Sequence, residues 1–385
     1  MAEFEAKVYR IEIEEHPNAD ALELARVGNY RAIVGKGAYK SGDYAVYIPE
    51  QAVLPEWVIQ KLNLVGRLAG KAKNRVKAIK LRGVLSQGLI YPLEFIDDGI
   101  WMIETLQENG RVLIQVQEGD VVTEELGLVK YEPEIPASMS GDLFNASGHT
   151  LKYDIENIKK YPDVLQAGEG VAITEKIHGT WACFGWNPAV NETDGVVVAS
   201  KGLSARGLAF KLNEKNKTSN LYVRTLEESR VNDSEGLTFV DRVRMYIDDL
   251  FSFNNRLPFY VLGEIYGKGV QDLHYGTQKP KFRVFDVFVG APGLGRYLNV
   301  DELSRLTDEL DLETVPMLWQ GEYSPDVVES LTTGTTIAGD VIGSHIREGV
   351  VVKPLFERED DEIGRVILKS VSEDYLLRKG GTEYN

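Results

Sequence analysis

The chain has 385 residues, 43% of them hydrophobic and 26% charged, which is the balance of an ordinary globular protein long enough for two or three domains. Its formal net charge of −16 argues against a surface that binds nucleic acid indiscriminately, although a local cationic track stays open, because counterion release depends on the few cations that touch phosphates. The single cysteine, Cys183, excludes an internal disulfide and a cysteine-cluster zinc site, and no apolar run reaches the roughly 18 residues of a membrane span.

The acidic, alternating start MAEFEAKVYRIEIEE is unlike a signal or transit segment, so a cytoplasmic protein with no membrane partner is expected. From Phe4 to about Leu128 the chain runs in short alternating stretches, such as Lys7–Ile13 and Tyr44–Pro49. Turn signals at His16-Pro17-Asn18-Ala19-Asp20, Gly35-Lys36-Gly37 and Ser41-Gly42-Asp43 separate them. This spacing predicts a small antiparallel barrel over residues 1–130. His-Pro-Asn-Ala-Asp followed by Leu22, Leu24 and Val27 resembles the opening of OB-fold tRNA-binding modules. A basic segment follows, with Lys71, Lys73, Arg75, Lys77, Lys80 and Arg82 interleaved with Val76, Ile79 and Leu81. It either grips a phosphate backbone or is an edge strand whose lysines deter aggregation.

Residues 131–150, YEPEIPASMSGDLFNASGHT, read as a linker because prolines, serines and glycines break any period. The second domain is expected over 151–385. Strand-like runs at Gly195–Ser200, Pro258–Glu264, Lys281–Val289, Gly349–Lys353 and Arg365–Lys369 mix with helical spacing at Leu221–Arg230, Asp241–Phe251 and Val300–Leu310. Without a regular β-α alternation this predicts an α+β fold.

Within that domain the run Thr174-Glu175-Lys176-Ile177-His178-Gly179-Thr180 stands between an apolar stretch, Gly170–Thr174, and an aromatic one, Trp181–Trp186. It reads as strand, tight turn, strand, with Lys176 at the mouth of a pocket. A lysine there can meet a phosphate as an ammonium or attack it as an amine; alternatively the segment is a hairpin with a solvated lysine. Further pieces follow in order: Ser200-Lys201-Gly202, Phe259–Gly267 around Glu264, Phe282–Val287, Arg347–Pro354 around Glu348, and Arg365–Lys369.

This ordered set resembles the covalent nucleotidyltransferase superfamily of ATP-dependent ligases and capping enzymes. EKIHGT, with His178 where most members carry Asp, looks like the RNA ligase 2 branch. A barrel placed before the transferase domain is similar to the Deinococcus-type RNA ligase group. The resemblance implies an OB-fold-like nucleic-acid-binding domain followed by an adenylyltransferase domain, ATP-grasp-like, of antiparallel sheets flanked by helices. It implies a polynucleotide ligase that joins RNA 3′-OH and 5′-phosphate ends in RNA repair, with ATP and Mg2+ or Mn2+ as cofactors and nicked or broken RNA as partner. Lys176 would attack the α-phosphate and carry AMP. Glu264 and Glu348 would contact ribose or hold the metal, and Lys369 would stabilise charge on the α-phosphate. Phe285 would stack on adenine, with Phe282 competing for that role. Glu175, Ile177 and Gly179 would line the nucleotide site, and Lys201, with Arg206 nearby, would meet a phosphate or remain a surface cation. His178 would either polarise a ligand or hold the turn.

One departure stands out. RNA ligases of this branch carry two lysines separated by one residue at the end of the set, whereas Lys369 here is flanked at that spacing by Ile367 and Val371. Lys353 is the candidate to supply the missing cation. Two other readings remain beside the ligase: a lysyl-AMP transferase with another acceptor, and a nucleic-acid-binding protein with an inactive transferase domain.

Overall fold

A computed structural model describes residues 4–96, 100–107, 110–229, 236–250 and 256–382. By internal contacts the chain forms two units, Ala2–Glu132 with Lys159–Pro162, and Pro133–Ile158 with Asp163–Asn385. Among the described residues no helix is long and apolar enough to cross a membrane.

The first unit is built from short antiparallel strands, the expected OB-type barrel. Lys7–Arg10, Tyr44–Ile48 and Leu89–Pro92 form one three-stranded sheet, and Glu12–Glu15, Leu22–Val27 and Tyr30–Gly35 another. Period-two alternation sends Val8 and its partner Val46 into one apolar cluster with Ile48, Tyr91 and Ile103. A second cluster gathers Ile11, Ala25, Val27 and Tyr47. In the basic segment Lys71, Lys73, Lys80 and Arg82 are exposed, and Ile79–Leu81 forms a small hairpin with Val84–Ser86. The Arg75 guanidinium lies 4.0 Å over the Tyr131 ring. The His16-Pro17-Asn18 loop is tied to that hairpin, because the Asn18 amide donates to the Arg82 carbonyl at 2.9 Å.

The second unit contains two five-stranded sheets. In the first, Glu156–Asn157, Leu368–Val371, Gly349–Pro354, Gly170–Lys176 and Met317–Glu322 lie side by side; only Glu156–Asn157 runs parallel to its neighbour. In the second the order is Val196–Ser200, Gly179–Trp186, Phe259–Tyr266, Lys281–Val289 and Arg296–Tyr297, all antiparallel. The helices Leu221–Glu228, Phe239–Leu250 and Val300–Glu309 bury an apolar stripe on the second sheet, where Val223, Leu226, Val243, Ile247 and Leu306 meet Phe184, Val261 and Val287. Arg230 and Phe251, expected at two helix ends, lie outside the described residues.

Three local expectations come out differently. The stretch 131–150 is not a free tether: Met139 is buried, and Leu143–Asn145 pairs with Leu208–Phe210. A three-residue strand is too short to show a period, so its prolines and glycines dominated the reading. The run Arg365–Lys369 is broken in two, with Gly364–Arg365 in a small hairpin and Leu368–Val371 in the main sheet. Finally, the two strands around the lysine turn are not hairpin partners. Gly170–Lys176 belongs to the first sheet and Gly179–Trp186 to the second, so Ile177 and His178 carry the chain from one sheet to the other.

Candidate active site

That crossing places Lys176 at the edge of a cavity of about 350 Å³ whose walls come from both sheets. Lys176 ends its strand opposite Gly349, and its Nζ is 2.7 Å from Glu348 Oε1. Gly349 also lets its own strand lie close to Leu368–Val371, because a Cβ there would run into the Ser370 carbonyl oxygen. Glu348 is buried, and its own carbonyl accepts the Ser372 N–H at 2.8 Å.

Glu264 projects from the opposite sheet, level with Trp181 on one side and Arg283 on the other. Burial pushes its carboxyl up to about 8, and Glu348 adds to this, while Lys176 and a hydrogen bond from the Gly179 N–H oppose it. Gly179 has no room for a side chain: a Cβ would overlap the Ile265 carbonyl and stand 2.9 Å from Glu264 Cγ. Its carbonyl accepts from the Gln271 amide.

Lys369 faces the same cavity. Burial lowers its ammonium to about 8, with repulsion from Lys176 and Lys201 acting in the same sense and Glu348 and Glu156 opposing. Residues two apart on a strand share a face, so Val371 lines the cavity beside it, and Ile367, just before the strand, lines it as well. Both candidate positions for a second lysine therefore point inward and are apolar. Lys353 also lines the cavity, but its ammonium is bound 2.5 Å from Asp286 Oδ1. Arg365 donates to both oxygens of Asp286 at 3.0 and 3.1 Å, and the Tyr153 hydroxyl reaches it at 2.5 Å. Burial would raise this carboxyl, but Arg365 and Lys353 outweigh it and hold the group well below the ordinary carboxylate range. The charge of Lys353 is thus neutralised within a buried cluster.

The two phenylalanines separate cleanly. Pairing between Phe259–Tyr266 and Lys281–Val289 slips by one residue between Leu262 and Gly263, and Phe285 is the extra residue. Such a bulge breaks alternation and re-aims a side chain. Phe285 and Asp286 both line the cavity as a result. Phe282 lies on the helix side, with its ring stacked 5.6 Å from that of Phe239.

The remaining residues differ in what they offer. Glu175 lines the cavity, and its buried carboxylate accepts from the Thr336 hydroxyl and, at 2.9 Å, from the Ile337 N–H. Ile177 packs with Tyr266, Leu273 and Tyr275. Lys201 lines the cavity and is ion-paired with Asp154 at 2.9 Å. Arg206 is exposed and bonded to the Gly202 carbonyl, apart from the lining residues. His178 is buried between Asp272 and Tyr375. Cys183 is core, its thiol pushed up by burial. Sequence reading missed Tyr153, Trp181, Asp286, Arg365 and Tyr375. Only the position of Trp181, two residues after Gly179, hinted at a place in the wall.

Among the described residues no three His, Cys, Asp or Glu side chains gather into a metal cage. Glu264 and Glu348 still supply two hard oxygen donors on one cavity. That set suits Mg2+ or Mn2+, which commonly take one or two protein carboxylates and complete their shell with phosphate oxygens and water.

Two mostly antiparallel sheets thus hold a lysine against one buried carboxylate, with a second carboxyl in the wall of the same cavity. The RNA ligase family profile matches residues 169–371, which contain Lys176, Glu264, Glu348 and Lys369, and an OB-fold domain profile matches residues 6–93. The chain belongs to the RNA ligase family. No curated protein matches it in sequence. Its fold is similar to that of Naegleria gruberi RNA ligase. An apo mutant of that enzyme gives a TM-score of 0.70 at 22% identity over 97% of this chain and 98% of the other. The same enzyme with pyrophosphate gives 0.69, and a mutant with AMP and Mn gives 0.70, each at 22% identity with the same coverage of both chains.

Proposed function

We propose that this protein is an ATP-dependent RNA ligase that joins RNA 3′-OH and 5′-phosphate ends through a lysyl-AMP intermediate. The observation that carries the reading is the single cavity in which Lys176 meets Glu348 at 2.7 Å, with Glu264 and Lys369 in its walls. Naegleria gruberi RNA ligase, solved with ATP and Mn or with AMP and Mn, supports the choice of nucleotide and cation.

In the first step the Lys176 amine forms a P–N bond to the α-phosphate of ATP, and the bond to pyrophosphate breaks. The amine needs a free lone pair, and Glu348 is within hydrogen-bonding distance to orient it and take its proton. The Lys369 ammonium faces the negative charge that builds on the α-phosphate. A divalent cation held by Glu264 and Glu348 supplies further positive charge to the phosphate oxygens when bound. Phe285 offers a face to adenine beside Tyr153, whose ring centroid is 5.4 Å away. Glu175, Ile177 and Gly179 line the same wall. In the second step an RNA 5′-phosphate displaces the lysine, which leaves as the amine. In the third a 3′-hydroxyl attacks and AMP departs.

Incubation with α-labelled ATP and Mn2+ tests the reading directly. Label should survive denaturation and pass to a nicked RNA duplex when one is added; wild-type protein that takes up no label refutes the proposal. Phe285→Leu should weaken ATP binding by about three- to tenfold, the scale of one lost ring contact. Phe282→Leu should instead lower stability by about 1 kcal/mol and leave ATP binding unchanged. Calorimetric titration paired with thermal melts separates the two.

The exposed cations of the first unit are proposed to hold the RNA backbone. Replacing Lys71, Lys73, Lys80 and Arg82 together by Gln should lower sealing by about ten- to a hundredfold and flatten its salt dependence, while self-labelling stays at the wild-type rate. A variant that seals as wild type would leave these lysines as a solvated edge.

A further inference from the structure

The C-terminal segment converges on the lysine turn through one polar node. The Tyr375 hydroxyl is 2.8 Å from His178 Nδ1, and Asp272 Oδ1 is 2.9 Å from His178 Nε2. Asp272 is in turn gripped by the tail: Arg378 Nε donates to it at 3.0 Å, the Thr382 N–H at 2.7 Å and the Thr382 hydroxyl at 2.9 Å. The Arg378 guanidinium also covers the Tyr375 ring at 3.7 Å. On the other side of the imidazole, Nδ1 is 3.9 Å from Glu348 Oε2, and the second oxygen of that carboxylate is the one that holds Lys176. The path from chain end to Lys176 is therefore tail, Asp272, His178, Glu348, lysine.

Within the helix Glu373–Leu376 only Tyr375 is buried, and it sits at the node itself. The segment is held chiefly by directed polar contacts, which fix geometry more than they stabilise the fold. Tyr375 and Leu376 also form part of the cavity wall. The chemistry of the node selects one imidazole tautomer. An ionised Asp272 only accepts, so in the neutral imidazole Nε2 carries the proton and Nδ1 accepts from the tyrosine hydroxyl. In that state no N–H faces Glu348, and its carboxylate is left to Lys176.

We propose that the segment Ser372–Thr382 is a latch with Asp272 as its catch, and that Asp272 and Tyr375 are positioning residues that hold His178, and through it Glu348, in the arrangement needed to load AMP on Lys176. The proposal rests on the lysyl-AMP reading above and adds residues whose polar groups act on the site through His178. Asp272→Asn removes the charge that fixes the Nε2 proton and sets an amide N–H against a donor that gripped the carboxylate, which loosens the hold on His178. Tyr375→Phe keeps the ring and its packing but removes the hydroxyl.

Two single-turnover assays on the full chain decide the matter: labelling of Lys176 from α-labelled ATP, and joining of a supplied RNA-adenylate, in which Lys176 has no bond to make. Labelling by Asp272→Asn and by Tyr375→Phe is expected to slow about ten- to a hundredfold. ATP affinity should stay within about twofold and RNA-adenylate joining near wild type. Equal loss in both assays would overturn the proposal by reducing the node to structural support, and so would wild-type rates in both. Absence of label on wild-type protein would instead refute the ligase reading itself, and the latch with it.

Discussion

Lys176→Ala is expected to carry no covalent AMP, a fall of at least about a thousandfold in label, because no neighbouring amine is placed to replace it. The result is informative because three other lysines line the same cavity. Lys353 is committed to Asp286 and Lys201 to Asp154. Lys369 is the real rival. With its ammonium lowered to about 8, it holds more neutral amine near neutral pH than an ordinary lysine does. That fraction of neutral amine is what makes it a rival nucleophile. Geometry favours Lys176, whose ammonium stands 2.7 Å from Glu348 with Glu264 in the facing wall, where the proposed divalent cation would sit. Peptide mapping of the labelled protein decides it. Label that persists in Lys176→Ala and vanishes in Lys369→Met would move the covalent bond to Lys369.

Lys369→Met should produce a protein that is more stable yet nearly inactive. The lowered ammonium, from 10.5 to about 8, corresponds to roughly 3 kcal/mol of destabilisation at neutral pH, of which methionine should recover about 1–2 kcal/mol. The sign follows from proton counting. Between pH 8 and 10.5 the unfolded chain keeps the lysine proton and the folded chain has released it, so stability rises with pH across that window. Below pH 8 both states are protonated and the penalty is complete. The stability advantage of Lys369→Met should therefore be largest at pH 7 and shrink toward pH 10.5. Denaturant unfolding at pH 7, 9 and 10 measures this, and an advantage independent of pH would show that burial of the ammonium is not its source. AMP loading should fall about a hundred- to a thousandfold, the scale of losing one charge-stabilising group. The effect is expected at the upper end because Ile367 and Val371 leave Lys369 without a second lysine on its strand.

How much of this was legible in the sequence depended on the kind of signal. Lys281–Val289 came out with the expected bounds, since nine residues with strong β propensity leave little choice. Phe285 was in doubt against Phe282 until the bulge opposite Leu262 and Gly263 was seen, because plain alternation cannot show a slipped residue. Lys353 read as a free cation because its partner, Asp286, lies 67 residues away and nothing local announces an ion pair across sheets. His178 was open between two roles for the same reason: both partners of its ring, Asp272 and Tyr375, are about a hundred residues or more distant.

The four residues proposed for the chemistry were legible in the chain alone, because Lys176, Glu264, Glu348 and Lys369 each stand in or beside an apolar run whose order along the chain carries the family pattern. The sequence by itself also determined the strand-rich start of residues 1–130 and the mixed second domain, since hydrophobic period is a local property. Only the tertiary structure decided that the lysine turn passes between two sheets rather than closing a hairpin. Only it showed which cations are already neutralised and how the segment Ser372–Thr382 reaches the lysine through Asp272 and His178. Period and propensity act over a few residues, whereas an ion pair, a bulge partner or a shared cavity exists only once distant strands have been brought together.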